Sequence, residues 1–151
     1  LKVLAVDGTP IQRKKLLTEV KNFDAVITSY SLLQKDIEIY KETPFSYAIL
    51  DEAQHIKNRG TRNAKSVKMI QAKPRLILTG TPIENSLDEL WSLFDFLMPG
   101  LLSSYDRFVE KYIRSPNQPK EMSIEVLRRK VSPFILRRMK KDVVAELPPV
   151  T

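Results

Sequence analysis

Hydrophobic and polar positions follow two periods along the first hundred residues. The runs "KVLAVD" (2–7), "DAVITS" (24–29), "SYAILDE" (46–52) and "RLILTG" (75–80) are apolar and of strand length. Stretches with helical spacing separate them. "PIQRKKLLTEVKNF" (10–23) is entered through Thr9 and Pro10, and "YSLLQKDIEIYKE" (30–42) sets Leu33, Ile37 and Tyr40 on one face. "TRNAKSVKMIQ" (61–71) opens on a Thr cap. Strands that are apolar on both faces and spaced by helices predict a parallel sheet covered on each side, an α/β domain of three α/β/α layers.

After Gly80 the spacing is helical throughout. "SLDELWSLFDFLM" (86–98) begins with Ser86 and carries Glu89 three positions on, the pattern of a capping box, and it stops at Pro99-Gly100. "SYDRFVEKYI" (104–113) and "EMSIEVLRRKVSPFILRRMKKDVVAEL" (121–147) follow, separated by "RSPNQPK" (114–120). Pro133 has no N–H to give a helix and must interrupt the last of these. The chain therefore reads as a partial α/β lobe over residues 1–99 with a helical extension over 100–151.

Composition narrows the class. The 151 residues are 42% hydrophobic and 28% charged, as in globular domains, and no apolar run is long enough to span a bilayer, so no membrane role is expected. Without cysteine there is no disulfide or thiolate metal site. "LKVLAVDGTP" lacks the basic start and long apolar core of a signal peptide, and it opens without Met inside a strand, as a piece of a longer protein would. Net charge is +7, and five of those charges fall in the last third: residues 101–151 hold 11 Lys/Arg against 6 Asp/Glu. Such an excess suits a polyanion, nucleic acid first, and equally suits a soluble basic surface.

In parallel α/β sheets ligands bind beyond the carboxyl ends of the strands. Three polar groups fall at such ends: Thr28-Ser29, Asp51-Glu52, and Thr79-Gly80-Thr81. A carboxylate placed as Asp51 is can hold Mg²⁺, directly or through water. Glu52 points differently and can orient or deprotonate an attacking water. The bland alternative for the pair is a favourable charge at a helix N-terminus, and for Thr28 and Ser29 it is a helix cap. Thr79 and Thr81 also suit an ordinary turn before Pro82. His55 is the sole histidine and suits a local hydrogen-bonding role, and Trp91 stands at helical spacing with Leu87, Leu90 and Phe94, as a core residue would. Arg137-Arg138 with Lys140-Lys141 suit phosphate contacts or a solvated helix face.

Longer stretches carry a resemblance. "ILDEAQHIKN" (49–58) followed by "LTGTPIENSLDELWSLFDFLMPG" (78–100) resembles motifs II and III of the Swi/Snf-type DNA-translocating ATPases of helicase superfamily two. "VITSYSLL" (26–33) resembles motif Ib, and "PFILRRMKKDVVAELP" (133–148) resembles the segment leaving the first RecA-like lobe of that family. "DEAQ" and "PIEN" look more like its prokaryotic branch than the usual eukaryotic "DEAH…PIQN". The resemblance implies a P-loop NTPase fold, ATP and Mg²⁺ as cofactors, and duplex DNA with DNA-bound proteins as partners. It assigns Asp51 to the metal, Glu52 to water activation, and Gln54 to the nucleotide site. It gives Gln54, His55, Thr79, Gly80 and Thr81 to coupling, and Thr28, Ser29 and Tyr30 to the DNA backbone. Expected localisation is cytoplasmic and nucleoid-associated in a prokaryote, nuclear in a eukaryote.

The four glycines, at 8, 60, 80 and 100, include none followed by Lys and then Ser or Thr, so no G-x-x-x-x-G-K-[ST] loop lies in this sequence. The resemblance places that loop upstream, and places a second lobe with an arginine finger downstream. A finger is worth about 10³–10⁵ in rate, so these residues by themselves are expected to be inactive. Two other classes compete. A non-enzymatic nucleic-acid-binding module fits the charge. A phospho-receiver domain fits Asp51 and Thr79, but needs an acidic pair after the first strand, where only Asp7 stands, and a Lys after a fifth strand.

Overall fold

The computed structural model describes residues 1–80, 86–115 and 117–138. It divides into two compact units, Leu1–Ser104 and Tyr105–Thr151.

The first unit opens with β1 (Val3–Ala5), whose burial alternates although its residues are apolar throughout: Leu4 and Val6 are buried while Val3 is exposed. Helix α1 (Pro10–Leu17) starts where Thr9 Oγ1 accepts the Gln12 N–H and Gln12 Oε1 accepts the Thr9 N–H, a reciprocal capping box with Pro at the first helical position. Strand β2 (Ala25–Ile27) lies parallel to β1 with Val3, Leu4 and Ala5 opposite Ala25, Val26 and Ile27. The long helix expected over 30–42 is two helices, α2 (Tyr30–Lys35) and α3 (Ile37–Lys41), broken at Asp36. The break has a distant cause. Arg13, 3% exposed, donates through Nε and Nη2 to the two Asp36 carboxylate oxygens at 2.6 and 3.1 Å, and through Nη1 to Gly8 O at 2.7 Å. A buried guanidinium needs such partners, and supplying them pins Asp36 away from helical geometry (φ −109°, ψ 16°).

Strand β4 (Ala48–Leu50) pairs in parallel with β6 (Arg75–Ile77), and the short β3 (Pro44–Phe45) pairs with β5 (Gln71–Ala72). Among the described residues the strands therefore pair two by two, where the sequence suggested one continuous sheet; strands of two or three residues make short ladders. Helix α4 (Arg62–Val67) is capped by Thr61 Oγ1, which accepts the Ala64 N–H. Helix α5 (Leu87–Leu97) is capped by Ser86 Oγ, which accepts the Asp88 N–H, while Glu89 lies 3.7 Å from Lys57 Nζ. Leu4, Val6, Leu50, Ile56, Val67 and Phe96 belong to one buried cluster on the inner face of the strands. On the opposite face Val3, Ile27, Ile49, Leu76 and Leu78 are each about half exposed.

Arg75 fastens the helical layer to β6. Its guanidinium donates to Phe96 O and Ile70 O at 2.9 Å, to Lys68 O at 3.2 Å and to Ala72 O at 3.3 Å, and it lies 4.8 Å from the centre of the Phe96 ring. The Lys68 carbonyl caps α4 and the Phe96 carbonyl lies in the last turn of α5, where helices have oxygens left over, and the Ile70 carbonyl belongs to the turn that follows α4. Beside them, Lys68 Nζ pairs with Asp95 at 2.6 Å.

In the second unit, α6 (Tyr105–Phe108) runs into one π-helical turn (Val109–Ile113), and the rings of Phe108 and Tyr112 lie 5.1 Å apart. Helix α7 (Lys120–Val131) buries Leu127 and Val131. It gives way to a 3₁₀ turn (Ser132–Phe134) at Pro133, the interruption that a residue without an N–H imposes. No described helix is long and apolar enough to cross a membrane.

Replacing Arg75 by Met removes one charged donor from four carbonyls and should lower the free energy of unfolding by about 2–4 kcal/mol, with Arg75→Lys recovering only part. Urea unfolding of the variants reads this directly; a change under about 0.5 kcal/mol for Arg75→Met, the size of an ordinary surface substitution, would contradict the fastening role.

Candidate active site

The ladder between β4 and β6 continues past both strands. Leu78 N–H donates to Leu50 O at 2.7 Å, and Ala53 N–H donates to Leu78 O at 3.2 Å. Residues 51–53 therefore run beside residues 78–79 at one carboxyl edge. This holds Asp51, Glu52 and Thr79 in a single neighbourhood, although a 3₁₀ turn, α4, β5 and β6 lie between the two acids and Thr79 in sequence.

The turn that follows β4 is tightly specified. Asp51 and Glu52 are both exposed, and Asp51 Oδ1 accepts the Glu52 N–H at 2.8 Å. Glu52 sits in the left-handed region, φ 49° and ψ 54°. A side chain there costs about 1–2 kcal/mol relative to the right-handed region, a strain that clusters at functional sites. A 3₁₀ turn (Ala53–Ile56) follows, with Ala53 and Ile56 fully buried. Ser92 Oγ in α5 donates to Ile56 O at 2.6 Å, tying the turn to the helix that follows β6. Gln54 Oε1 is buried without a hydrogen-bond partner among the described residues, a state native proteins rarely leave unexplained.

The end of β2 reaches the same turn. Tyr30, the first residue of α2, donates its hydroxyl to Asp51 O at 2.7 Å, and its ring lies 5.0 Å from the His55 ring, inclined by 35°. His55 Nε2 stands 3.9 Å from Glu52 Oε2, an ion pair whenever the imidazole is protonated. Burial, together with the charges of Asp51 and Glu52, pushes the Tyr30 phenol up to about 12, so it remains a protonated donor across the neutral range.

The other polar groups at strand ends have local duties. Ser29 caps α2, its Oγ accepting the Leu32 N–H at 3.3 Å, and Thr28 Oγ1 donates to Val6 O at 3.5 Å. Thr79 is partly buried and Gly80 exposed at the same edge; Thr81 lies outside the described residues. Trp91 is buried, and its Nε1 donates to Ser103 O at 3.2 Å, a core role. Arg137 and Arg138, in the second unit, are exposed; Lys140 and Lys141 lie outside the described residues. Periodicity and spacing did not reveal the Tyr30 contact, the Ser92 anchor or the left-handed Glu52. The only sequence signal was the adjacency of two acids to an apolar run.

The SNF2-related domain matches residues 1–151, the whole chain. The chain belongs to the SNF2-related domain family. It is 42% identical over 161 residues to the TATA-binding protein-associated factor MOT1 of Saccharomyces cerevisiae, covering 99% of this chain and 9% of that protein. It is 38% identical to the uncharacterized ATP-dependent helicase MG018 of Mycoplasma genitalium, covering 98% of this chain and 14% of that protein. Among solved structures, the Sulfolobus solfataricus SWI2/SNF2 ATPase core in complex with dsDNA superposes with a TM-score of 0.84 at 39% identity, covering 98% of this chain and 31% of that one. The Sulfolobus solfataricus SWI2/SNF2 ATPase core domain superposes with a TM-score of 0.77 at 39% identity, covering 98% of this chain and 30% of that one. The SNF2 chain described here thus spans about a tenth of the curated relatives and about a third of the archaeal core. The α/β character read from strand and helix order, and the RecA-like lobe that the resemblance implied, both agree with these neighbours.

At most positions Gly is less stable than Ala, but a left-handed residue reverses the sign. Glu52→Gly should be more stable than Glu52→Ala by about 1 kcal/mol. Chemical denaturation of the two variants decides it; Ala equal to or more stable than Gly would mean that position 52 is not held left-handed.

Proposed function

We propose that this chain supplies the acidic half of the ATP-hydrolysing site of a DNA-dependent, helicase-like motor. The complete protein couples hydrolysis to movement on duplex DNA and so rearranges DNA-bound proteins. The observation that carries this reading is the placement of Asp51 and Glu52 beside Thr79 at one carboxyl edge, with Glu52 held in a strained backbone conformation.

In hydrolysis a water oxygen bonds to the terminal phosphorus, the bond from phosphorus to the bridging oxygen breaks, and ADP leaves. Glu52 accepts the proton that the water gives up, the task of a general base within hydrogen-bond reach. Asp51, exposed at the strand end with Oδ1 engaged by its neighbour's N–H, suits Mg²⁺, which takes one or two carboxylates together with phosphate oxygens and water. When bound, the ion would neutralise charge on the phosphates. Gln54, whose buried oxygen has no partner among the described residues, would complete the nucleotide side and, with His55, Thr79, Gly80 and Thr81, pass its state to the DNA side. Thr28 and Ser29, together with Arg137 and Arg138, would contact backbone phosphates, which position a protein on DNA without reading sequence.

The test uses the full-length protein that carries this chain. Glu52→Gln should retain ATP binding and lower DNA-stimulated kcat by about 10²–10⁴-fold, and Asp51→Asn should in addition raise the Mg²⁺ requirement. A wild-type rate for Glu52→Gln would remove Glu52 from the reaction. Duplex binding without any ATP hydrolysis by the unsubstituted protein would favour a nucleic-acid-binding module instead.

A further inference from the structure

Family resemblance assigns Tyr30 to the DNA backbone, yet its hydroxyl is directed at the acidic turn. The Asp51–Glu52 peptide is fixed at both ends. Its carbonyl accepts the Tyr30 hydroxyl at 2.7 Å, and its N–H is held by Asp51 Oδ1 at 2.8 Å. The orientation of this peptide determines where the following residue points, and that residue is Glu52, in the left-handed region where a side chain is held only if its surroundings insist. The Tyr30 ring also lies 5.0 Å from the His55 ring, with His55 Nε2 3.9 Å from the Glu52 carboxylate. One side chain at the head of α2 therefore touches the backbone before Glu52 and the ring beside its carboxylate.

We propose that Tyr30 is a positioning residue that sets the direction of Glu52 through the Asp51 carbonyl and the His55 ring, and so links the β2 end to the hydrolytic acid. It rests on the assignment of Glu52 to hydrolysis. Because Tyr30 follows the Ser29 cap directly, any displacement of the β2–α2 junction by a bound polyanion is transmitted to the Asp51–Glu52 peptide through one hydrogen bond.

The test compares Tyr30→Phe, which keeps the ring and removes the hydroxyl, with Tyr30→Leu, which removes both, in the full-length protein. Loss of an outer-shell orienting group typically costs about 10–100-fold. Tyr30→Phe should lower DNA-stimulated kcat within that range while KM for ATP and affinity for a duplex oligonucleotide stay within about twofold of wild type, and Tyr30→Leu should cost more. In the Glu52→Gln background, Tyr30→Phe should cause no further loss in single-turnover hydrolysis, since residues acting as one unit are not additive. Hydrogen–deuterium exchange should rise in the segment 51–56 of Tyr30→Phe and stay unchanged in α1 and α5. Unchanged exchange there, or a full further loss in the Glu52→Gln background, would overturn the proposal. Weakened duplex binding with unchanged kcat would also overturn it and return Tyr30 to the DNA backbone. If the unsubstituted protein proves inactive on ATP, the hydrolytic assignment of Glu52 falls separately, through its own variant, and the exchange experiment still decides whether Tyr30 holds the turn.

Discussion

Three residues of β4 lie in register with three of β6, and two more backbone hydrogen bonds carry that pairing past the strand ends. Everything chemical in the first unit depends on this short parallel ladder. It brings Asp51–Ala53 alongside Leu78–Thr79, and the left-handed Glu52 is tolerable because the backbone on either side is held: Leu50 by the ladder, Asp51 O by the Tyr30 hydroxyl, and Ala53 by Leu78 O and by full burial. Parallel pairing requires a long crossover between its strands. Here the crossover contains the 3₁₀ turn and α4, the elements that close over the inner face. The ladder and the turn are therefore one construction. A shift of a single residue in register would exchange the buried and exposed faces of β4 and carry the acids away from the edge.

Two guanidinium groups fasten the helices of the first unit, Arg75 to this frame and Arg13 to one another. Arg13 ties α1 to the α2–α3 break through Asp36, a hydrogen bond that raises the Arg13 pKa further still. Arg75 collects carbonyls from the ends of two helices, and burial lowers its pKa, opposed by Asp95. In both cases a half-buried or buried cation is acceptable because its N–H groups meet a carboxylate or carbonyl oxygens. Arg75 is also part of β6, opposite Ala48, so the same residue that anchors the helices fixes the strand that positions the site.

The strand cores, the caps at Thr9, Thr61 and Ser86, and the stop before Pro133 were legible in the sequence because each depends on neighbours within a few residues. Asp51 and Glu52 were legible as candidates for a related reason: two charges against an apolar run are costly without a use. The break at Asp36 was not legible, since the helical spacing of Leu33, Ile37 and Tyr40 runs straight through it and its cause, Arg13, is 23 residues away. The β3–β5 pair consists of two-residue strands that leave no periodic trace. The Tyr30 hydroxyl meets Asp51 across 21 residues, and a tyrosine at a helix start announces no partner. Spacing records which face a residue occupies; it does not record what stands opposite.

The central claim is that the edge formed by Asp51, Glu52 and Thr79 receives the metal–nucleotide complex. Metal-directed cleavage tests it most directly: Fe²⁺ replaces Mg²⁺ in the full-length protein with a non-hydrolysable ATP analogue, ascorbate generates radicals at the ion, and the cut positions are mapped by mass spectrometry. The account predicts nucleotide-dependent cuts in this chain clustered near residues 50–53 and 78–80, lost in Asp51→Asn. Nucleotide-dependent cuts confined to other segments, with none at those two, would contradict it.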